Sequence, residues 1–171
     1  MKLSGPTYFS EIIAAAANHA KESSLTKEQQ YSILLILTDG EIMDMEKTVD
    51  AIVKASLTSP LSIIIVGVGN ANFRNMGVLD GDDKKLRNSR GEEIKRDLVQ
   101  FVAYRTSNDA RSTIPGTGLT SRVLSEIPDQ VVGYFHKQGI APKRPIEVAE
   151  EEIVVMPDLV VEDEIVFFPE M

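Results

Sequence analysis

Cysteine does not occur in this 171-residue chain, and histidine occurs only twice, at His19 and His136. Without thiols there is no disulfide, no thiolate zinc site or RING finger, and no cysteine nucleophile. The two isolated histidines fall in helical segments, which predicts surface positions and leaves no His-rich metal centre. No apolar stretch approaches the roughly 20 residues that cross a bilayer. The opening MKLSGPTYFSEII lacks the charged, apolar and cleavage regions of a signal peptide, so a soluble, cytosolic chain is expected. Basic residues are missing from Pro145 onward, where nine acidic ones stand. Since the whole chain carries −8 and this segment −9, residues 1–144 sum to +1. That balance argues against nonspecific nucleic-acid binding and confines the acidity to the tail.

What is present fits one ordinary domain with a proper core, given 43% hydrophobic residues. Ile12, Ile13, Ala16, Ala17 and Ala20 share a helical spacing over residues 8–23. YSILLILT (31–38) is short, apolar and rich in branched residues, which predicts a strand covered on both faces, as in parallel sheets. Met45, Val49, Ile52 and Val53 mark a second helix, and LSIIIVGVG (61–69) a second strand. Strand, helix, strand makes a βαβ unit. Residues 71–97 read as loop, DLVQFVAYR (97–105) as a third strand, and 119–137 as a kinked helix or as two helices meeting at Pro128. The domain is expected to end near Gly139. The acidic tail alternates charged clusters with EIVVM, DLVVE and EIVFF, which predicts disorder or a strand added to an open sheet edge.

Asp39 is the residue that asks for an explanation, because it ends the apolar run ILLILT and is followed by glycine. An ionised side chain there needs a partner, and doubly wound sheets bind ligands beyond the carboxyl ends of their strands. Asp39 is therefore either a ligand or a turn residue. Thr7, ahead of the first helix, is either a ligand or a helix cap. GVGNAN (67–72) has Asn72 where a dinucleotide loop needs its third glycine. LDGDDKKLRNSRGEE places Lys84, Lys85 and Gly91 where a calcium loop needs oxygen, glycine and glutamate, so no EF-hand is expected. No GxSxG elbow occurs.

LSGPTYF, LLILTDGEIMDM, LSIIIVGVGNANF, LDGDDKKLR, GEEIKRDLVQFVAYR and VLSEIPDQVVGYF stand in the order and approximate spacing of one known domain. Over about residues 2–142 the chain resembles the second half of the von Willebrand factor A-like (vWA-like) domain of copines. The resemblance implies an α/β, doubly wound and mostly parallel sheet without its first three strands, spanning 1–142, with the acidic tail at 143–171. It also implies a metal-ion-dependent adhesion site in which Thr7 of GPT is the second-loop ligand and Asp39 of TDG the third-loop ligand. Such oxygen donors suit Mg²⁺ or Mn²⁺ with waters completing the shell. The site binds a partner's carboxylate and breaks no bond, so no catalytic residue and no enzyme activity are implied.

The DxSxS-like segment of that site does not occur upstream of GPT. Metal binding is therefore expected to be weak or absent, and the chain to be a fragment, an isoform or a half-domain. With the family's strand order, YSILLIL would lose a neighbour, which predicts self-association or recruitment of a strand. The resemblance places the chain in a calcium-dependent phospholipid-binding protein of membrane trafficking or signalling. That protein is cytoplasmic and peripheral to the plasma membrane, and its Ca²⁺ and lipid act through C2 domains that this sequence does not contain. Two other functions stay open: the A-like part of a plant-type RING ubiquitin ligase, against which the missing cysteines count, and an Asp39-dependent hydrolase or phosphotransferase. The second needs another carboxylate or a lysine at a neighbouring strand end, where Asn70 stands instead.

Overall fold

A computed structural model describes residues 7–25, 29–69, 71–81, 84–104 and 117–143. They belong almost wholly to the first of two compact units, 1–141, and only Pro142 and Lys143 of the second, 142–171, are described. The tail and its two expected conformations, with Asn70, lie outside the described residues.

Within the first unit, α1 (Ser10–Ser24), β1 (Ser32–Thr38), α2 (Met45–Thr58) and β2 (Leu61–Gly67) follow the expected order. They continue into α3 (Arg74–Asp80), β3 (Val99–Ala103), α4 (Thr117–Val123) and α5 (Ile127–Lys137). The strands form one parallel sheet in the order β1-β2-β3, with Leu34 opposite Ile63 and Ile63 opposite Val99. Side chains alternate along each strand, so these residues share one face of the sheet. Ile13, Ala17 and Ala20 of α1, Ile52 and Val53 of α2, and Met76 and Leu79 of α3 pack against Leu61, Ile63 and Ile65 there.

The opposite face is covered only in part. Ile64, Val66 and Val102 are buried beneath it, and α5 docks through Gln130, whose Oε1 accepts the Ser62 hydroxyl at 2.5 Å. β2 is buried on both sides throughout. β1 is not: Ile33, Leu35 and Leu37 are 50, 55 and 66% exposed, whereas Leu34 and Ile36 pack on the core. The expectation that YSILLILT is covered on both faces is therefore wrong. A continuous apolar run says that a strand can be buried, but a helix must be there to bury it, and among the described residues none lies over this side of β1.

Two further differences concern local signals. Residues 74–80, expected to be loop, form α3, anchored by Met76 and Leu79 and ended by Gly81 at φ +76, the left-handed position where glycine has no Cβ penalty. Around Pro128 the second alternative holds: α4 and α5 are separate, and Pro128 sits in the first turn of α5, where its missing N–H costs nothing. His19 and His136 are both exposed, as expected.

Candidate metal and partner-binding site

Asp39 lies immediately beyond the last residue of β1, in a bend stitched to the end of β2 by Val68 N–H donating to Thr38 O at 2.8 Å. Thr7 reaches the same end of the sheet from the chain before α1. It forms a parallel bridge with Ile42, and its carbonyl accepts Met43 N–H at 3.0 Å. The Thr7 hydroxyl then stands 3.1 Å from the point where a Cβ on Gly40 would sit, and the Asp39 Cβ is 3.9 Å from the corresponding point on Gly69. Three loops thus converge, and Thr7 and the Thr38-Asp39-Gly40 turn are neighbours, although 32 positions separate Thr7 from Asp39 in the sequence. Asp39 is exposed and Thr7 half-buried.

Asp44 builds this end of the molecule. It occupies the N-cap position of α2, yet its carboxylate is spent on another helix: Oδ1 accepts Phe9 N–H and Oδ2 accepts Ser10 N–H, both at 3.0 Å. These are orphan donors at the start of α1, whose own N-cap residue, Phe9, offers no side-chain bond. Oδ1 also takes the Thr48 hydroxyl at 3.1 Å. Partial burial alone would raise the Asp44 pKa. The Ser10 hydroxyl, the Phe9 and Ser10 amides and the Thr48 hydroxyl outweigh it and hold the carboxyl below its ordinary value.

The stabilisation from a depressed carboxylate is present above the unfolded pKa, near 4, and is lost as pH falls through the lower folded value. Replacing Asp44 with alanine is expected to cost about 1 kcal/mol at neutral pH. The gap from wild type should close as the solution is acidified below about pH 4. Urea unfolding at a series of pH values checks both statements, and a gap that persists in acid would remove the carboxylate from the account.

Beside Thr7 and Asp44 runs a shallow cleft of about 500 Å³, lined among others by Tyr8, Glu11, Met43, Glu46 and Lys47. Tyr8 and Met43 expose apolar surface on its rim. The described residues contain no group of three or more His, Cys, Asp or Glu side chains able to hold a metal ion. The Asp39 carboxylate and the Thr7 hydroxyl, on neighbouring turns, are hard oxygen donors of the kind that Mg²⁺ and Mn²⁺ take.

At the other end of the strands, Arg96 is buried against the rings of Tyr31 and Tyr134, 5.9 and 5.2 Å from their centroids. Its Nη2 donates to Ser59 O at 2.7 Å and Leu61 O at 2.6 Å, and its Nη1 donates to Tyr31 Oη at 3.2 Å. Burial pushes the Tyr134 phenol up, with the Arg96 charge opposing it. Nothing in the sequence around Arg96 announces this role.

A parallel sheet with helices on both faces, and polar loops gathered beyond its carboxyl ends, defines a vWA/Rossmann-like α/β domain of which the described residues contribute three strands. The chain belongs to the copine family, whose model, described as Copine, matches residues 1–143. It is 49% identical to Copine-A of Dictyostelium discoideum over 142 residues, which is 83% of this chain and 22% of that protein. Copine-E and Copine-B of the same organism are each 48% identical over 143 residues, 83% of this chain and 24% and 26% of theirs. The chain therefore spans about a quarter of the length of these relatives. Among the described residues no helix is long and apolar enough to cross a membrane.

Proposed function

We propose that residues 1–142 act as a non-enzymatic protein-interaction module of a copine-like protein, with residues 143–171 as a separate acidic tail. The module would present a partial metal-ion-dependent adhesion site to an acidic group on a protein partner. The observation that carries this reading is the meeting of Thr7 with the Asp39 turn beyond the carboxyl end of β1. A hydroxyl and a carboxylate would hold one edge of a Mg²⁺ or Mn²⁺ shell, waters the rest, and the partner's carboxylate would displace a water. Calcium-dependent phospholipid binding, a role in trafficking or signalling, and a cytoplasmic or plasma-membrane location belong in this proposal to the longer protein.

Titration of Mn²⁺ into the chain, followed by water-proton relaxation, tests the site. Weak binding in the millimolar range is expected, and Asp39→Asn or Thr7→Val should abolish it. Micromolar affinity would show that the two donors are not acting alone. Binding indifferent to both substitutions would remove Thr7 and Asp39 from the site.

A further inference from the structure

Arg96 is a buried cation without a counter-ion. Its Nη2 serves the Ser59 and Leu61 carbonyls, and its Nη1 serves Tyr31 Oη and, at 3.4 Å, Asp97 O. All of these acceptors are neutral, and the remaining guanidinium donor, Nε–H, is buried with no acceptor at all. Dipoles stabilise such a charge without cancelling it, whereas buried charges are ordinarily paired. Among the described residues the ion pair is between Arg87 and Glu93, and no carboxylate pairs with Arg96.

Two clefts border this residue, and their charges differ. The smaller, about 340 Å³, sets Asp97, Glu126 and Asp129 against Arg96 and Lys137, an excess of one negative charge. The larger, about 490 Å³, sets Lys84, Lys85, Lys95 and Arg96 against Asp80 and Asp97, an excess of two positive charges. It is lined from the end of α3 and from both arms of a hairpin over residues 86–94, which is closed by Ile94 N–H donating to Leu86 O at 2.9 Å. Both acids are already engaged: Asp80 Oδ1 accepts Phe101 N–H at 2.6 Å, and Asp97 Oδ1 accepts Val99 N–H at 3.2 Å. The three lysines are exposed, and their ammonium groups have no partner among the described residues. Leu79, Leu86 and Ile94 add an apolar wall.

We infer that this larger cleft binds a phosphate monoester. Close to a dianion at neutral pH, such a group matches the excess of two positive charges. Its oxygens accept from the lysines, which bind phosphate as point charges, and the apolar wall takes the organic part. A recess lined mainly by one sign of charge concentrates an ion of the other. The bound anion supplies the counter-charge that Arg96 lacks. The smaller cleft repels the same ligand, which fixes the side from which it approaches. This site lies at the amino ends of the strands, away from Thr7 and Asp39, and is independent of the metal-site reading.

Titration of phenyl phosphate and of inorganic phosphate into the isotope-labelled 171-residue chain, followed by nuclear magnetic resonance, tests it against sodium chloride at matched ionic strength. Saturable shifts are expected at the Lys84, Lys85 and Lys95 amides and at Arg96 Nε–H, with phenyl phosphate the tighter ligand. Lys84→Gln combined with Lys85→Gln should weaken binding about tenfold, with the fold unchanged by circular dichroism because both side chains are exposed. Asp82 and Asp83 precede Lys84 in the sequence and lie outside the described residues, and changing both to asparagine should tighten binding. Vesicles of phosphatidylcholine with and without phosphatidic acid separate the sources of the group. Cosedimentation that needs phosphatidic acid and both lysines would assign a lipid headgroup, and binding of phenyl phosphate alone a soluble ester. The same shifts with chloride would mean an adventitious ion only and overturn the proposal. So would shifts that never saturate, an affinity unchanged in the lysine variant, or shifts confined to the cleft of Glu126 and Asp129.

Discussion

Arg96→Met is expected to lower the unfolding free energy by about 3 kcal/mol, since it removes several hydrogen bonds donated by a charged group. The side chain is only 9% exposed. Its guanidinium ties Ser59 and Leu61, at the start of β2, to Tyr31, just before β1, while Tyr134 of α5 covers it. Methionine preserves the stem and its packing but leaves the Ser59 and Leu61 carbonyls without those donors. Arg96→Lys should recover only part of the loss, because one ammonium nitrogen replaces both Nη2, which serves the two carbonyls, and Nη1, which reaches Tyr31 Oη, and it has no planar face to set against a ring. The Nε atom already lacks a partner, so the site is not saturated even in the native chain. Urea denaturation of the three proteins decides the matter. An Arg96→Met variant within about 0.5 kcal/mol of wild type, the range of ordinary surface changes, would show that these bonds only replace those made to water.

Gly67→Ala should cost about 2 kcal/mol, in the range for forcing a methyl group into packed surroundings. Gly67 ends β2, and a Cβ there would come within 2.9–3.0 Å of three atoms of the Phe73 ring. Phe73 cannot simply swing away, because it packs on the core and meets the Phe101 ring at 5.7 Å between centroids. Combining Gly67→Ala with Phe73→Leu tests the cause. The double variant should be more stable than the sum of the single costs allows, a coupling readable in a double-mutant cycle. Strict additivity would mean that the glycine matters for its backbone and not for the ring above it.

Parts of this molecule were legible because their signals are local. The periodicity of Ile13, Ala17 and Ala20 and the apolar runs of β1 and β2 each declare an element within a few residues. α3 was hidden by polar neighbours and Gly77, although Met76 and Leu79 are spaced as a helix requires. The bare side of β1 could not be read, since a run of branched residues looks the same whether one face or two are covered. Asp44 reads as the cap of the helix it precedes, but 35 positions separate it from the Phe9 amide that it accepts. Arg96 looks like any solvated arginine in a polar stretch. The pairing of Thr7 with Asp39 came from family resemblance, and only the fold shows how the Ile42 bridge brings the two loops together.

The placement of the aromatic rings gives the chain two built-in optical reporters. It has four tyrosines and no tryptophan, so its ultraviolet emission comes from tyrosine alone. Tyr31 and Tyr134 meet edge to face at 5.9 Å against Arg96, where their near-ultraviolet dichroism should follow the opening of the sheet's amino-terminal corner. Tyr8 stands at the opposite end, exposed and next to Thr7. A cation arriving there should alter the emission of Tyr8 while leaving the dichroism of the distant pair unchanged, which lets one unlabelled sample separate occupancy of the upper loops from loosening of the fold beneath them.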